Sequence, residues 1–308
     1  MSVTSSSTPP APPRVAVATS AAVPHLDSDG PELLAALARA GVAADVRVWD
    51  APDADWSEYD LVLVRSTWDY TGRRDEFLAW ARSVAATSNP ADVLEWNTDK
   101  HYVLDLERAG VPVVPTLFLE AEAPFAFRVP AGAGEVVVKP AVSAGATDTG
   151  RFAVGDAGAT ELARHLHGRG RTVMVQPYQS GIDAAGETAV LFLGGEFSHV
   201  VRKAPLLTGP GVGTPAMGDD VQDRITVTTP TTAQLAVARA ALEAVPGGAH
   251  QLTYARVDLV PGADGEPLVL ELEVSEPSLF LRHAPAGALD RFARSVAAAA
   301  TGRVAVRA

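Results

Sequence analysis

The 308-residue sequence contains no cysteine. Disulfides, thiolate nucleophiles and cysteine-ligated zinc are therefore excluded. No stretch approaches the roughly 18 to 20 uninterrupted apolar residues of a transmembrane helix. The first turn after the N-terminal strand has no G-x-G-x-x-G, and the chain lacks both the P-loop pattern and the H-R-D and D-F-G motifs of protein kinases. These absences exclude several common nucleotide-binding families.

Basic residues are scarce relative to acidic ones. Lys plus Arg number 25 against 37 Asp plus Glu, which gives a formal charge of −12. Such a protein repels a phosphate backbone, so nucleic acid is not an expected partner, although a few local cations can still hold a small phosphorylated ligand. Residues 1–13 have neither a basic start nor an apolar run, and they predict a disordered tail rather than a signal peptide. We expect a soluble, cytoplasmic protein without membrane contacts.

A pattern near the C-terminus suggests a metal site. Two short strands with period-two alternation occupy residues 254–274 and are joined by a Gly- and Pro-containing turn, which predicts a hairpin. Alternation places Glu271 and Glu273 on one face, and Arg256 and Asp258 on one face of the partner strand. Carboxylates this close need a cation among them, and oxygen ligands without His or Cys favour Mg²⁺. The alternative is a solvated hairpin face with ordinary surface charge.

Two lysines lie near features suited to phosphate binding. Asn97 predicts the N-cap of a helix over 98–109, with Lys100 in the first turn, where a cation is unfavourable unless an anion lies nearby. Lys139 ends an apolar strand and is followed by the small, polar loop Ser143–Gly150. Backbone N–H groups of such loops can close over phosphates, although many hairpin loops look similar.

Further candidates lie at the ends of other predicted strands. Arg65 to Tyr70 follow an apolar strand of a βαβ pattern, where ligands bind in open α/β sheets; the alternative is an amphipathic loop with its tryptophan folded back. Gln176 and Tyr178 end a buried strand at a predicted hinge between domains. Gly194-Gly195 predicts a two-residue hairpin turn that brings Glu187 close to Arg202.

The order and context of these residues resemble the ATP-grasp ligase superfamily, in its glutathione-synthetase-like and RimK-like branch. The resemblance spans residues 14–305 and rests on Asn97-Thr-Asp-Lys100, Val136-Val-Val-Lys139-Pro140, Ser143-Ala-Gly145, Val175-Gln176-Pro-Tyr178, Arg256-Val-Asp258 and Glu271-Leu-Glu273. Glu273 departs from the commonest pattern, which has asparagine, but glutamate also binds Mg²⁺. Other short motifs are similar to those of a smaller group, which includes the ligase forming the cycloserine ring from O-ureidoserine. These motifs are Ser66-Thr-Trp-Asp-Tyr70, Gly195-Glu-Phe-Ser-His199 and Val201-Arg-Lys203.

The resemblance implies an α/β protein with the ATP-grasp fold. An N-terminal open parallel α/β domain (14–92) would precede two α+β lobes, a central one (93–180) and a C-terminal one (181–308), which enclose the nucleotide. The implied reaction phosphorylates a substrate carboxylate to an acyl phosphate, which a nitrogen nucleophile then attacks. The small amino-acid-like substrate would be joined through an amide-type bond, within one molecule if the product is a ring.

The resemblance also implies a role for each candidate residue. The implied ATP contacts are Lys100, Lys139, Ser143, Gly145, Gln176, Tyr178 and Asp183. The implied ligands of two Mg²⁺ ions, with Mn²⁺ as a substitute, are Asp258, Glu271 and Glu273. The transferred phosphoryl group would be stabilised by Arg202 and Arg256. Substrate contacts, each with a scaffold role as the alternative, would come from Arg65, Ser66, Trp68, Asp69, Glu187 and Ser275.

Three other functions remain open from the sequence. They are a peptide-forming amino-acid ligase, a small-molecule carboxylate kinase on the same scaffold, and an inactive nucleotide-binding protein. The oligomeric expectation is a monomer or a homodimer.

Overall fold

The structure is a computed structural model that describes residues 11–216 and 224–307, with side chains as far as residue 302. Residues 1–10 of the predicted tail lie outside the described residues. The strands of the described ranges form three sheets, one of four strands and two of five. None of the helices in those ranges is long and apolar enough to cross a membrane.

The N-terminal sheet is parallel, as the βαβ pattern predicts, in the order β2-β1-β3-β4. Its strands and helices are β1 (Arg14–Thr19), α1 (Gly30–Arg39), β2 (Ala43–Val48), β3 (Leu61–Val64), α2 (Arg74–Ser83) and β4 (Thr87–Ser88). Both faces are covered. Val15 and Val17 of β1 pack on the α1 side, whereas Ala16 and Ala18 join the aromatic cluster on the α2 side. Burial on both faces explains why β1 and β3 are almost uniformly apolar.

The central sheet is antiparallel, in the order β11-β7-β6-β8-β5. Its elements are β5 (Leu117–Leu119), β6 (Glu135–Pro140), β7 (Gly150–Ala153), α5 (Ala157–Gly168), β8 (Val173–Pro177) and β11 (Gly211–Val212). Asp156 begins α5 by accepting a hydrogen bond from the backbone N–H of Gly158 at 2.8 Å. The apolar face of α5 covers one side of this sheet.

The C-terminal sheet has the order β12-β10-β9-β13-β14. Its strands are β9 (Glu187–Leu193), β10 (Glu196–Lys203), β12 (Ile225–Thr228), β13 (Tyr254–Pro261) and β14 (Pro267–Glu273). The remaining helices are α3 (Ala91–Asn97), α4 (Tyr102–Arg108), α6 (Gly181–Ala185), α7 (Thr232–Glu243) and α8 (Ala288–Arg307). The two hairpins expected around Gly194-Gly195 and over 254–274 are both confirmed.

Each face of the C-terminal sheet contacts a different layer. Val190 and Val257 belong to the face covered by α4 and α7. Ala189, Leu191 and Val201 belong to the opposite face, which packs against α8 and the N-terminal domain. Because paired residues of neighbouring strands share a face, the charged residues of β13 and β14 lie on the side of the N-terminal domain.

The packing of helices and strands does not follow the two lobes that the sequence predicts as continuous segments of the chain. Helices α3 and α4 precede the central sheet in the chain, but they contribute to the core beneath the C-terminal sheet. Strand β11 comes from the C-terminal range, but it pairs with β7 of the central sheet. The boundaries 93–180 and 181–308 therefore stay a prediction, and the core beneath the C-terminal sheet includes residues from both of these segments.

Candidate active site

The 254–274 hairpin brings its charged side chains together in the predicted way. Asp258 lies opposite Glu271, and Arg256 lies opposite Glu273, so all four share one face of the sheet. One oxygen each from Asp258, Glu271 and Glu273 lie within 4.8 Å of one another. Sequence periodicity alone was therefore sufficient to find this cluster.

Two cations compensate the deepest of these carboxylates. Arg256 Nε donates to Asp258 Oδ1 at 3.0 Å, and Arg256 Nη2 donates to Glu273 Oε1. Lys203 Nζ lies 2.6 Å from Asp258 Oδ2. Burial alone would raise the pKa of Asp258, but Arg256 and Lys203 outweigh it and hold that pKa below its usual value. Asp258 is thus ionised at neutral pH although it is buried.

The donor chemistry of the cluster fits Mg²⁺. Burial raises the pKa of Glu273; Glu271 and Asp258 raise it further through their like charges, while Arg256 opposes the shift. A site that disfavours one of its own carboxylate charges gains stability from a divalent cation. Three oxygen donors on one side also leave coordination positions for water and phosphate oxygens, which Mg²⁺ usually retains.

Lys203, and not Arg202, belongs to this cluster. Arg202 is exposed and does not line the cavity, whereas Lys203 does, and its Nζ also lies 2.9 Å from Glu187 Oε2. A regular two-residue hairpin would pair Arg202 with Glu187, but an irregularity between Phe197 and His199 shifts the register by one residue. Lys203 is therefore opposite Glu187, and the expectation for Arg202 is corrected.

Lys100 and Lys139 both reach the same cavity. Lys100 Nζ lies 3.1 Å from Glu271 Oε1 and donates to the carbonyl of Ser143 at 2.6 Å. Burial lowers the pKa of Lys139, although the nearby Glu271 opposes the shift. Burial acts to raise the pKa of Glu271, but Lys100 and Lys139 together lower it. Two buried ammonium groups side by side favour binding of an anion between them.

The predicted helix over 98–109 is wrong at its start. Helix α3 ends at Asn97, a turn carries Lys100, and α4 begins only at Tyr102. Asn97 does not cap a helix; its Nδ2 donates to the carbonyl of Leu272 at 2.8 Å, and its Oδ1 accepts from the N–H of Val274 at 2.9 Å. The Asn97 side chain, which the local pattern assigns to an N-cap, therefore binds the backbone of the acidic hairpin instead.

The Ser143–Gly150 loop closes over the lysines. Ser143 and Gly145 line the cavity, and the Lys100 contact ties the loop to the turn after α3. Gly145 has a positive φ of 60°, which glycine adopts without strain. Its carbonyl accepts from the N–H of Ala216 at 2.9 Å, so the segment following β11 contacts this loop.

An apolar slot forms the part of the cavity where the adenine was expected. Gln176 and Tyr178 line it together with Ile182 and other apolar residues. Gln176 is buried, and its Nε2 donates to Thr116 Oγ1 at 2.8 Å. Asp183, the expected ribose contact, is exposed and accepts a hydrogen bond from the Tyr178 hydroxyl at 2.6 Å. It lies outside the lining of the cavity, so its position does not support a ribose contact.

The wall nearest the N-terminal domain is formed by residues 275–281, which we call the strap. Its carbonyls accept hydrogen bonds from side chains on both sides of the domain junction. The contacts are Tyr254 to Ser275 (2.8 Å), Trp68 to Glu276 (3.0 Å), Arg65 to Pro277 (2.9 Å) and Arg256 to Ser278 (3.1 Å). Asp29 accepts from the N–H groups of Leu279 and Leu281 at 3.1 and 2.7 Å. The strap is thereby fixed along most of its length.

These contacts correct several expected substrate contacts. Arg65 is buried and positions the strap, while Asp69 accepts from the indole of Trp49 at 2.9 Å. Ser275 is buried and donates to Asn97 Oδ1 at 3.1 Å. Ser66 is fully buried, and its hydroxyl has no hydrogen-bond partner among the described residues. None of these four lines the cavity, whereas Trp68 and Glu187 do.

Sequence reasoning missed several residues that line the cavity. They are Tyr70, Asn97, Lys203, Glu276, Ser278 and Phe280. Glu276 is 9% exposed, and burial together with the charge of Glu273 raises its pKa to about 8. A third acidic residue just after the hairpin was the available signal for Glu276. The strap has no periodicity, so its fold back over the cavity was not readable from local pattern.

Comparisons with known proteins identify relatives of this chain. A family model described as "D-cycloserine synthetase DcsG, N-terminal domain" matches residues 15–91. The cycloserine biosynthesis protein DcsG of Streptomyces lavendulae is 36% identical over 296 residues, which cover 92% of this chain and 97% of that protein. The crystal structure of D-cycloserine synthetase DcsG superimposes with a TM-score of 0.83 at 34% identity, over 93% of this chain and 99% of that one.

More distant structures share the fold. A RimK domain ATP-grasp protein from Sphaerobacter thermophilus gives a TM-score of 0.64 at 18% identity, over 92% of this chain and 98% of that one. D-alanine–D-alanine ligase from Bacillus anthracis gives 0.62 at 15% identity, over 96% of this chain and 98% of that one. The expected ATP-grasp fold is thereby confirmed. On its overall identity to DcsG, the chain belongs to the DcsG family of ATP-grasp ligases.

Proposed function

We propose that this enzyme is an ATP- and Mg²⁺-dependent carboxylate–amine ligase that activates a small amino-acid-like substrate as an acyl phosphate. The observation that carries the proposal is one cavity in which Lys100 and Lys139 lie beside the carboxylates of Glu271 and Glu273. Phosphoryl transfer needs positioning and charge neutralisation more than covalent chemistry by the protein, and this cavity offers both.

The nucleotide would lie along the cavity from the apolar slot to the hairpin. The slot beside Gln176 and the backbone at Tyr178 would take the adenine, since its lining is apolar with a few polar groups. Lys100 and Lys139 would hold the phosphates, and the Ser143–Gly150 loop would cover them. The buried ammonium groups support this assignment because each would gain an anionic partner.

The hairpin carboxylates would hold the metal. Asp258, Glu271 and Glu273 supply an all-oxygen donor set for two Mg²⁺ ions, or for Mn²⁺ in their place. When bound, the metal would neutralise phosphate charge and polarise the transferring phosphoryl group. Arg256 and Lys203 flank the same carboxylates, and we assign to this pair the stabilisation of the transferred group that the sequence assigned to Arg256 and Arg202.

Activation is chemically necessary because a carboxylate is a poor electrophile toward nitrogen. Transfer of the γ-phosphoryl group to a carboxylate oxygen creates a leaving group, and the nitrogen then displaces phosphate. The cations of the cavity oppose the repulsion between the anionic substrate and the nucleotide. No side-chain nucleophile is needed, which fits a chain without cysteine.

For the substrate we propose O-ureidoserine. Its oxygen-bound nitrogen would displace phosphate from the acyl phosphate of the same molecule, and loss of the carbamoyl group to water as carbon dioxide and ammonia would leave the cycloserine ring. The names of the relatives support this choice, because two of them, at 36% and 34% identity, are a cycloserine biosynthesis protein and a D-cycloserine synthetase. The second name also favours the D configuration. A cavity closed by a fixed strap suits a small substrate better than a protein or a peptide chain.

The test measures ADP and free phosphate separately over a panel of amino acids and ureido acids that includes both enantiomers of O-ureidoserine. We expect equal amounts of ADP and phosphate with O-ureidoserine, and cycloserine by mass spectrometry. ADP without free phosphate, together with a stable phosphorylated product, would establish a kinase instead. A product that joins two amino acids would establish a peptide-forming ligase.

A further inference from the structure

One carboxylate of the cavity is not accounted for by the nucleotide or the metal. Glu276 lies on the strap, is 9% exposed and lines the cavity beside Trp68 and Tyr70. The carboxylate receives a hydrogen bond from the hydroxyl of Tyr70, which is neutral. Without a compensating positive charge the ionised form of a buried carboxyl group is costly, so such residues are rare outside functional sites.

The other carboxylates lining the cavity all have a cationic partner. Glu187 pairs with Lys203 at 2.9 Å, and Glu271 pairs with Lys100 at 3.1 Å. Glu273 pairs with Arg256. Within residues 11–216 and 224–302, no lysine, arginine or histidine lies within ion-pair distance of Glu276. Its positive partner is therefore to be sought in a ligand.

The metal does not supply that partner. In the described part of the chain, the group of carboxylates close enough to share an ion consists of Asp258, Glu271 and Glu273, and Glu276 lies outside it. Lys100 lowers the pKa of Glu276 through its charge, but its ion pair at 3.1 Å is with Glu271. A third kind of ligand group, cationic and small, fits the position of Glu276.

The strap holds Glu276 in place before any ligand arrives. The carbonyl of Glu276 accepts from Trp68 Nε1 at 3.0 Å, and the next carbonyl accepts from Arg65 at 2.9 Å. Asp29 fixes the far end of the strap at Leu279 and Leu281. Such preorganisation reduces the entropy lost on binding and is typical of recognition residues.

We propose that Glu276 is the specificity residue that binds the ammonium group of the amino-acid substrate. The proposal rests on the proposed function only in taking the substrate to be amino-acid-like. The ammonium group would donate to the Glu276 carboxylate, while Trp68 and Tyr70 limit its access to water. The attacking nitrogen is a different group, because it must keep a free lone pair and cannot be an ammonium ion.

The test compares each amino acid of the panel with its desamino analogue, in which hydrogen replaces the amino group. Binding is measured by calorimetry without ATP, and ADP release is measured with ATP. We expect the wild-type protein to bind its preferred amino acid about 10- to 100-fold more tightly than the desamino analogue, as for a hydrogen bond between charged groups. In Glu276→Gln this preference should fall to within about threefold, with the KM for ATP unchanged.

A matched control is Glu266→Gln, which changes an exposed glutamate in the turn of the hairpin that precedes the strap. This variant should keep the full preference, and circular dichroism should show that both variants fold. The proposal is overturned if the wild type binds no amino acid more tightly than its desamino partner, whether or not ADP is released. It is also overturned if Glu276→Gln keeps the preference, or if the variant lowers kcat equally for both members of a pair.

Failure of the proposed function would look different. A wild-type protein that binds an amino acid in preference to its desamino analogue, but releases no ADP with it, would contradict the ligase assignment and leave the Glu276 contact standing. Loss of the preference in Glu276→Gln would then still be read from calorimetry alone.

Discussion

Lys203 Nζ lies 2.6 Å from Asp258 Oδ2, a contact that reaches from β10 to β13 across the intervening strand β9. The crossing is possible because the residue of β9 opposite Asp258 is Ala189, whose small side chain leaves room on that face. The same ammonium group contacts Glu187 at 2.9 Å. Lys203 therefore links three strands at the point where the metal and the transferred phosphoryl group are proposed to meet.

The neighbouring cations of β10 should respond differently to substitution. Lys203→Met leaves the buried carboxylate of Asp258 with one cation fewer, so we expect a loss of about 3 kcal/mol in the free energy of unfolding. ADP release should fall at least about 100-fold, since a cation at the reacting group is removed. Arg202→Met changes an exposed residue. It should alter the free energy of unfolding and the activation free energy of ADP release by less than about 0.5 kcal/mol each. Equal effects of both substitutions on ADP release would contradict the assignment.

The hairpin carboxylates should be required for metal-dependent turnover. Glu271→Gln and Asp258→Asn each remove a charged oxygen donor, so we expect both to abolish Mg²⁺-dependent ADP release while the fold remains intact. Binding of Mn²⁺, followed by its paramagnetic signal, should weaken at least about tenfold in each variant. Glu266→Gln, exposed in the same hairpin, is the control. Turnover at the wild-type rate in both variants would contradict the assignment of these carboxylates as metal ligands.

Arg65 should act through the strap. Arg65→Met removes the hydrogen bond to the carbonyl of Pro277, and we expect the KM for the amino-acid substrate to rise about tenfold while the KM for ATP changes less than about twofold. Arg82→Met, which breaks an exposed ion pair with Glu95 in the same domain, should leave both unchanged. A rise in the KM for ATP alone would contradict a positioning role.

Asp29 should make stability depend on pH. Burial, reinforced by the charge of Asp27, raises the pKa of Asp29 from 3.8 to about 6, so the folded protein binds a proton more tightly than the unfolded chain does. The stability from this group is fully present below pH 4 and is lost as pH rises through 6, by about 3 kcal/mol in total. Urea unfolding of the wild type and Asp29→Asn at pH 4.5 and 7.5 measures this.

The wild type should lose its advantage over Asp29→Asn, or fall further behind it, as the pH rises between those values. The variant also loses one of the hydrogen bonds to the strap, but that loss is the same at both pH values. A difference between the two proteins that stays constant with pH would contradict the raised pKa.

Local sequence pattern was sufficient to predict which side chains share a face in the 254–274 hairpin, but not in strand β10. Period-two alternation fixed the shared face of Asp258 and Glu271, because no bulge intervenes between Arg256 and Asp258. In β10 one extra residue near Ser198 shifts every later side chain by one position, so Lys203 takes the place that regular pairing gives to Arg202. A bulge has no reliable signature in a single sequence.

Tertiary contacts decided the remaining differences. Asn97 satisfies the backbone of β14 instead of capping a helix, and Arg65 reaches the strap across more than 200 positions of the chain. The strap itself follows no repeating pattern and is held by side chains from two domains. Those long-range contacts place Glu276 in the lining of the cavity, and sequence periodicity cannot show them.

Isotope transfer from the substrate carboxylate tests the acyl phosphate most directly. O-ureidoserine labelled with ¹⁸O in its carboxylate is incubated with the enzyme, ATP and Mg²⁺, and the released phosphate is analysed by mass spectrometry. If a carboxylate oxygen displaces ADP and then leaves with the phosphoryl group, one ¹⁸O should appear in each phosphate formed. Phosphate released without ¹⁸O during product formation would contradict the account.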